Sequence, residues 1–261
     1  VTNGTDHKDI RLSRLLEEIE NFDIVCLQEM FDTGTPRCSE FLLKAYNKGF
    51  LYYCKCDSPL FLSPQLIDGG LVIISRLPIL DSKFEAFEKG VHSDCLPLKG
   101  VLYCCVELSG SSLHVFTTHA QASYSSDISI ALQSMISRSS QINILIRFIK
   151  RTLLLNARVN DTVIVLGDFN INARMTPQDM SLLLDCLPDQ IKSEYHRISV
   201  FNNEYDVLRA WMNVVGDIFE FHDIAFSKLS RHPITMGDTI ENNGDSNQKT
   251  PKVTLSGNDL K

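Results

Sequence analysis

The chain has 261 residues, 44% of them apolar and 22% charged, which allows a sizeable buried core and excludes a disordered or fibrous composition. Its formal charge of −7 counts against the nucleic-acid backbone as principal partner, because that binding draws on clustered Lys and Arg. No apolar run reaches the ~18 residues of a membrane span, and the first residues, Val1-Thr2-Asn3-Gly4-Thr5-Asp6, read as the interior of a longer chain.

Ile10, Leu12, Leu15, Leu16 and Ile19 recur at helical spacing, which predicts a helix over residues 9–21. Asn21-Phe22-Asp23 breaks it and leads into an apolar strand over 23–27 that finishes in Gln28-Glu29. Asp68-Gly69-Gly70 and Arg76-Leu77-Pro78-Ile79 supply turn chemistry on either side of a strand at 71–75. Residues 101–107 and 113–117 read as an antiparallel hairpin across a loop at 108–112, and its second strand finishes in Thr118-His119. Ile142, Leu145, Ile146 and Ile149 mark the apolar face of a helix, with Arg147, Lys150 and Arg151 on its solvated face. The β-branched run at 162–166 predicts a buried strand and stops at Gly167-Asp168-Phe169-Asn170. The polar tail, 237–261, reads as a long loop or a frayed end.

Antiparallel pairs mixed with helices exclude a purely doubly wound parallel sheet and predict an α+β fold with sheets packed together and helices outside. Three strands then end in groups able to bind a metal, move a proton or hold a phosphate. That repetition points to a site along one sheet rim. None of the eight cysteines lies in a CxxC pair or beside His ligands, and Cys26 and Cys104-Cys105 fall within strands, where Cys behaves as a small hydrophobe. Free thiols are expected. They favour an intracellular compartment over secretion.

Leu27-Gln28-Glu29, Ser75-Arg76-Leu77-Pro78-Ile79, Thr118-His119-Ala120-Gln121-Ala122 and Gly167-Asp168-Phe169-Asn170, in that order, resemble the endonuclease/exonuclease/phosphatase superfamily with its DNase-I-like fold. Three further segments are similar to neutral sphingomyelinases: Gln121-Ala122-Ser123-Tyr124, the stretch from Asp94-Cys95 to Lys99-Gly100, and His232-Pro233-Ile234-Thr235-Met236-Gly237-Asp238. The resemblance implies a four-layer αββα sandwich of two mostly antiparallel sheets with the site at one rim. It implies a single domain over 1–261 that lacks the family's first, Asn-bearing strand and its final Asp-His strands, and hence a chain with little or no phosphodiesterase activity of its own.

Phosphodiester hydrolysis needs a nucleophilic water, charge relief on the phosphate oxygens and help for the leaving alkoxide. Glu29, a hard carboxylate at a strand end, is the candidate ligand for Mg²⁺ or Mn²⁺. His119 would donate a hydrogen bond to the phosphate or leaving oxygen. Asp168 would orient water or leaving group, and Asn170 would bind a phosphate oxygen. Lys99 would add positive charge there or pair with Asp94 when the site rests, the plain alternative being a solvated loop lysine. Arg76 and His114 read as structural. The expected reaction is Mg²⁺-dependent hydrolysis of sphingomyelin, a choline phosphodiester of the membrane surface, to ceramide and phosphocholine. The alternatives are a nuclease or phosphoinositide phosphatase of the same fold, and a non-catalytic remnant that binds membrane or protein.

Overall fold

The arrangement of the molecule follows from strands that are apolar on both faces. In the computed structural model, which describes residues 8–123, 128–173, 204–213, 219–230, 239–241 and 249–251, successive side chains of one strand enter different cores. Val72 and Ile74 face helices, whereas Leu71 and Ile73 enter a layer between two sheets. Val101, Tyr103 and Cys105 likewise point to a helix, and Leu102, Cys104 and Val106 to that shared layer. A period of two with both faces apolar leaves no solvent side, so each sheet must be covered twice.

The covering elements are α1 (Lys8–Glu18) and α2 (Arg37–Asn47) on one sheet and α3 (Ile128–Asn156) on the other. The first sheet has β1 (Ile24–Leu27), β3 (Val72–Ser75) and β2 (Tyr52–Lys55) in that order, with β3 antiparallel to both neighbours. The second has β4 (Ile79–Ala86), β5 (Gly100–Leu108), β6 (Ser111–His119) and β7 (Thr162–Asp168), antiparallel except for the parallel pair β6 and β7. The result is an α+β, four-layer αββα sandwich. α4 (Glu204–Asn213) packs its Leu208, Trp211 and Met212 against the α3 core, and α5 (Ile224–Leu229) follows. Among the described residues no helix is long and apolar enough to cross a membrane.

Several sequence expectations need correction. The hairpin turn is only Ser109-Gly110, because ladder pairing continues to Leu108 and Ser111. β7 is an edge strand among the described residues and only partly covered, so its β-branched run signalled strand conformation without full burial. The tail is not all loop: β8 (Thr239–Glu241) and β9 (Lys249–Pro251) pair antiparallel. The 232–238 segment, Tyr124 and Cys186 lie outside the described residues.

Other expectations are met. His114 is a packed core histidine, bonded to Tyr103 Oη at 2.9 Å and Asp161 Oδ2 at 3.2 Å. Arg76 is structural, donating to the carbonyls of Phe22, Lys48 and Glu20 and stacking on Phe50. The seven described cysteines are free. Burial pushes Cys26 up to about 12 and Cys38 up to about 11, as suits inert core thiols.

β1 and β2 both run antiparallel to β3, so they end at the same rim, and β6 and β7 end there too. Gln28 Nε2 donates to Thr117 Oγ1 at 3.1 Å and ties the two sheets together at that rim. Gly167 lets β7 reach it. Its φ is +140°, and a Cβ there would lie 2.1 Å from the Thr118 carbonyl oxygen. Gly167→Ala should therefore cost at least about 1–3 kcal/mol of stability, read from the midpoint of urea unfolding. An unchanged midpoint would show that the rim tolerates another path.

Candidate active site

Alternation along β6 decides what reaches the rim. Leu113 and Val115 face the layer between the sheets, so Thr117 and His119 share that face, and His119 emerges where the apolar layer stops. On β7 Leu166 packs into the same layer and Asp168 follows two residues later. The register pairs His119 with Asp168, and His119 Nε2 lies 3.9 Å from Asp168 Oδ2. That is ion-pair range but too long for a hydrogen bond.

The carbonyl of Ala120 joins the remaining groups. It accepts from Lys99 Nζ at 2.9 Å and from Asn170 Nδ2 at 3.0 Å, while Ala120 N donates to the Asp168 carbonyl at 2.8 Å. Asn170, at φ +52°, also donates its own N–H to Asp168 Oδ1 at 2.9 Å. Asn tolerates this left-handed conformation because its short side chain bonds locally. Each Asn170 and Lys99 nitrogen carries more N–H groups than the Ala120 carbonyl consumes.

Lys99 is not a solvated loop lysine. Its side chain and that of Asp94 are each only 5% exposed and 2.7 Å apart. Burial pulls the Lys99 ammonium below the usual lysine range, against the opposing attraction of Asp94, Asp168 and Glu29. Asp94 is fixed in turn. Its Oδ2 accepts from Ala122 N at 2.7 Å, and Gln121 Oε1 accepts from Val91 N at 2.9 Å, clamping the 3₁₀ turn His92–Cys95 that carries Asp94.

Sequence reasoning missed the groups behind this wall. Arg138 on α3 donates to the Gln121 carbonyl and Ser123 Oγ, and makes a bidentate pair with Glu204 of α4 at 2.9 Å for both bonds. Gln141 Oε1 accepts from Gln121 N at 2.7 Å. A buried Arg and Gln on an otherwise apolar helix face were the only signal available.

Glu29 stands opposite, just past the end of β1, exposed and with φ +61°. A non-glycine residue in that region is strained, and its neighbours enforce it. Met30 N donates to the Gly70 carbonyl at 3.0 Å, and a Cβ on Gly70 would meet Glu29 Cα and Met30 N at 3.1 Å. Asp68 holds the following loop: its carboxylate accepts from Asp32 N, Thr33 N, Thr33 Oγ1 and Gly70 N at 2.7–2.9 Å. Burial alone would raise the Asp68 pKa, but these four donors outweigh it and hold the carboxyl below its usual range.

Among the described residues no group of three or more His, Cys, Asp or Glu side chains assembles as a metal cage. A single exposed carboxylate still fits Mg²⁺, which keeps several waters and takes one or two carboxylates plus phosphate oxygens. Glu29 is free for that task and Asp68 is not.

His119 is 6% exposed, and its Nδ1 is buried with no hydrogen-bond partner among the described residues. An orphaned polar atom in an otherwise satisfied wall is a mark of function. Burial and then the Lys99 ammonium push the imidazole below the ordinary histidine value, although Asp168, Glu29 and Asp94 pull the other way.

The Endonuclease/Exonuclease/phosphatase family pattern matches residues 2–178. A sphingomyelinase of Dictyostelium discoideum is 33% identical over 274 residues, covering 97% of this chain and 57% of that protein. A phospholipase C of Staphylococcus aureus is 30% identical over 176 residues, covering 63% of this chain and 50% of its own length. The chain thus spans about half the length of these curated relatives. The crystal structure of Staphylococcus aureus beta toxin with bound magnesium ions, an F277A, P278A mutant, superposes with a TM-score of 0.52. It is 26% identical, over 69% of this chain and 63% of that one.

A lowered His119 pKa means that the unfolded chain takes up the proton first. Stability then falls as pH drops below the ordinary histidine value of about 6.5, and levels off below the folded value. NMR titration should give a His119 midpoint below that value, and Lys99→Met should move it up by removing the repelling ammonium. An ordinary midpoint, or none of that movement, would refute the electrostatic account.

Proposed function

Because this chain belongs to the Endonuclease/Exonuclease/phosphatase family, we propose that its rim hydrolyses a phosphodiester, and that the substrate is sphingomyelin, yielding ceramide and phosphocholine with Mg²⁺ as cofactor. The observation that carries this reading is the convergence of Asn170 and Lys99 on the Ala120 carbonyl, next to His119 with its unsatisfied Nδ1, with the exposed Glu29 and Asp168 carboxylates on the same rim. The similarity to proteins named sphingomyelinase supports the choice of substrate.

Hydrolysis adds a water oxygen to phosphorus, breaks the bond to the ceramide oxygen and returns a proton to that oxygen. Negative charge builds on the non-bridging oxygens meanwhile, so preorganised donors at the rim act most strongly in the transition state. Lys99 offers its ammonium from a wall that fixes the position of Nζ. Asn170 Nδ2 has a second N–H beyond the one bonded to Ala120, suited to a phosphate oxygen. His119, held mainly neutral by burial, donates one N–H to the phosphate or to the departing oxygen. Asp168, with its side chain 47% exposed, accepts from water and aligns it or the leaving group. Glu29 would hold Mg²⁺, which when bound supplies Lewis-acid charge relief and favours a nucleophilic water.

These roles separate experimentally in the complete protein. Glu29→Gln should raise the Mg²⁺ concentration needed for half-maximal turnover of sphingomyelin in mixed micelles, as well as lowering the rate. His119→Ala should leave that midpoint nearly unchanged and lower kcat by about 10²–10⁴-fold. Equal shifts of the metal midpoint in both variants, with nothing else altered, would refute the division.

A further inference from the structure

The loop between β2 and β3 leaves the same rim as Glu29, since β2 ends at Lys55 in register with Val72 opposite Leu27. Its outermost part is a tight turn closed by Ser63 N donating to the Leu60 carbonyl at 2.8 Å. The two corner residues of such a turn are usually Gly, Asn, Asp or Pro. Here they are Phe61 and Leu62, 101% and 90% exposed, with Leu60 beside them at 83%.

The turn is well defined. Pro59 and Pro64 flank it, and Gln65 N and Gln65 Oε1 both bond Ser63 Oγ. From Ser58 to Ile67 there is no charged residue. The base of the loop docks on the candidate site itself: Leu66 N donates to the Leu96 carbonyl at 2.9 Å and Leu98 N to the Ile67 carbonyl at 2.9 Å, immediately before Lys99. Leu66 and Leu96 are themselves exposed, so the apolar surface runs from the tip towards the site.

A second exposed apolar pair, Leu154 and Leu155, lies at the end of α3, which leads into the start of β7 and so sits at the opposite end of the sheets. The two patches cannot face one flat surface together.

We propose that the Leu60-Phe61-Leu62 tip is a wedge that inserts into the apolar boundary of a lipid bilayer and sets the rim against the headgroup layer. The proposal rests on the reading of the site as one acting on a membrane phosphodiester. It follows from three features: exposed aromatic and aliphatic corners, a rigid turn that loses little entropy on insertion, and attachment to the wall that carries Lys99. An uncharged tip on a chain of charge −7 gains nothing from anionic lipids, so binding should persist on neutral phosphatidylcholine and be insensitive to salt.

The test compares the complete protein with a Phe61→Ser/Leu62→Ser variant by co-sedimentation with neutral phosphatidylcholine vesicles, with thermal melting as the check on folding. Both positions are fully solvated, so melting should not change. The variant should lose at least about tenfold in partition, while turnover of a water-soluble chromogenic phosphodiester stays at the parent level. Equal partition of the two proteins, or loss of soluble-substrate turnover in step with vesicle binding, would overturn the proposal. So would an absence of vesicle binding by the parent, which would assign the tip to a protein partner. Tip-dependent binding without sphingomyelin hydrolysis would uphold the wedge and count against the proposed function alone.

Discussion

The candidate site depends on one buried ion pair. Lys99 and Asp94 meet at 2.7 Å with almost no exposure, and each holds a different part of the wall: Lys99 grips the Ala120 carbonyl, Asp94 the Ala122 amide. Through Ala120 the pair reaches Asn170 and the backbone of Asp168, and thereby fixes the end of β7 relative to β6. A buried pair is weak evidence of net stabilisation, because desolvating two charges offsets much of their attraction. Its value here is positional: the backbone donors and acceptors around it leave one arrangement that satisfies every partner. The same burial lowers the Lys99 and His119 pKa values, so one arrangement both builds the wall and tunes its chemistry.

Strain and rigidity are distributed accordingly. Glu29 and Asn170, on opposite sheets, both have positive φ; Asn170 is held by its own N–H donating to Asp168 Oδ1, and Glu29 by the next residue, Met30, donating to the Gly70 carbonyl. Asp68 behind Glu29 and Arg138 behind Gln121 play matching parts. Each is a buried charge satisfied by several bonds, and each supports the segment that follows a functional side chain. Such supporting shells keep a site aligned without mobile side chains having to find their positions.

Much of this was legible in the sequence, for a physical reason. Strands covered on both faces read as apolar runs, and a run that ends in Glu, His or Asp places that residue at a sheet rim. Glu29 and His119 are legible that way, and Asp168 from a β-branched run that the structure covers only in part. The antiparallel hairpin and its helical cover were equally plain from period and turn residues. What could not be read were contacts between segments distant in sequence. Arg138 and Glu204 are 66 positions apart, and nothing local marks either as the other's partner. The depth of Lys99 depends on a 3₁₀ turn clamped by Gln121, so the sequence suggests its pairing with Asp94 but leaves a solvated loop lysine as an equal alternative. The Phe61-Leu62 tip violates turn chemistry, and such local inconsistencies are expected at functional surfaces.

The central claim is that Lys99 acts on the phosphate from a position that Asp94 holds. Its direct test is kcat/KM for sphingomyelin in mixed micelles, measured for the complete protein, Lys99→Met, Asp94→Asn and the double variant. Asn retains an oxygen for the Ala122 amide, so Asp94→Asn should have the smaller effect. Lys99→Met should lose about 10²–10³-fold, as for removal of a preorganised transition-state donor. The double variant should match Lys99→Met, because Asp94 then has no lysine left to position. Losses that simply add within about 0.3–0.5 kcal/mol, or a Lys99→Met variant as active as the parent, would contradict the account.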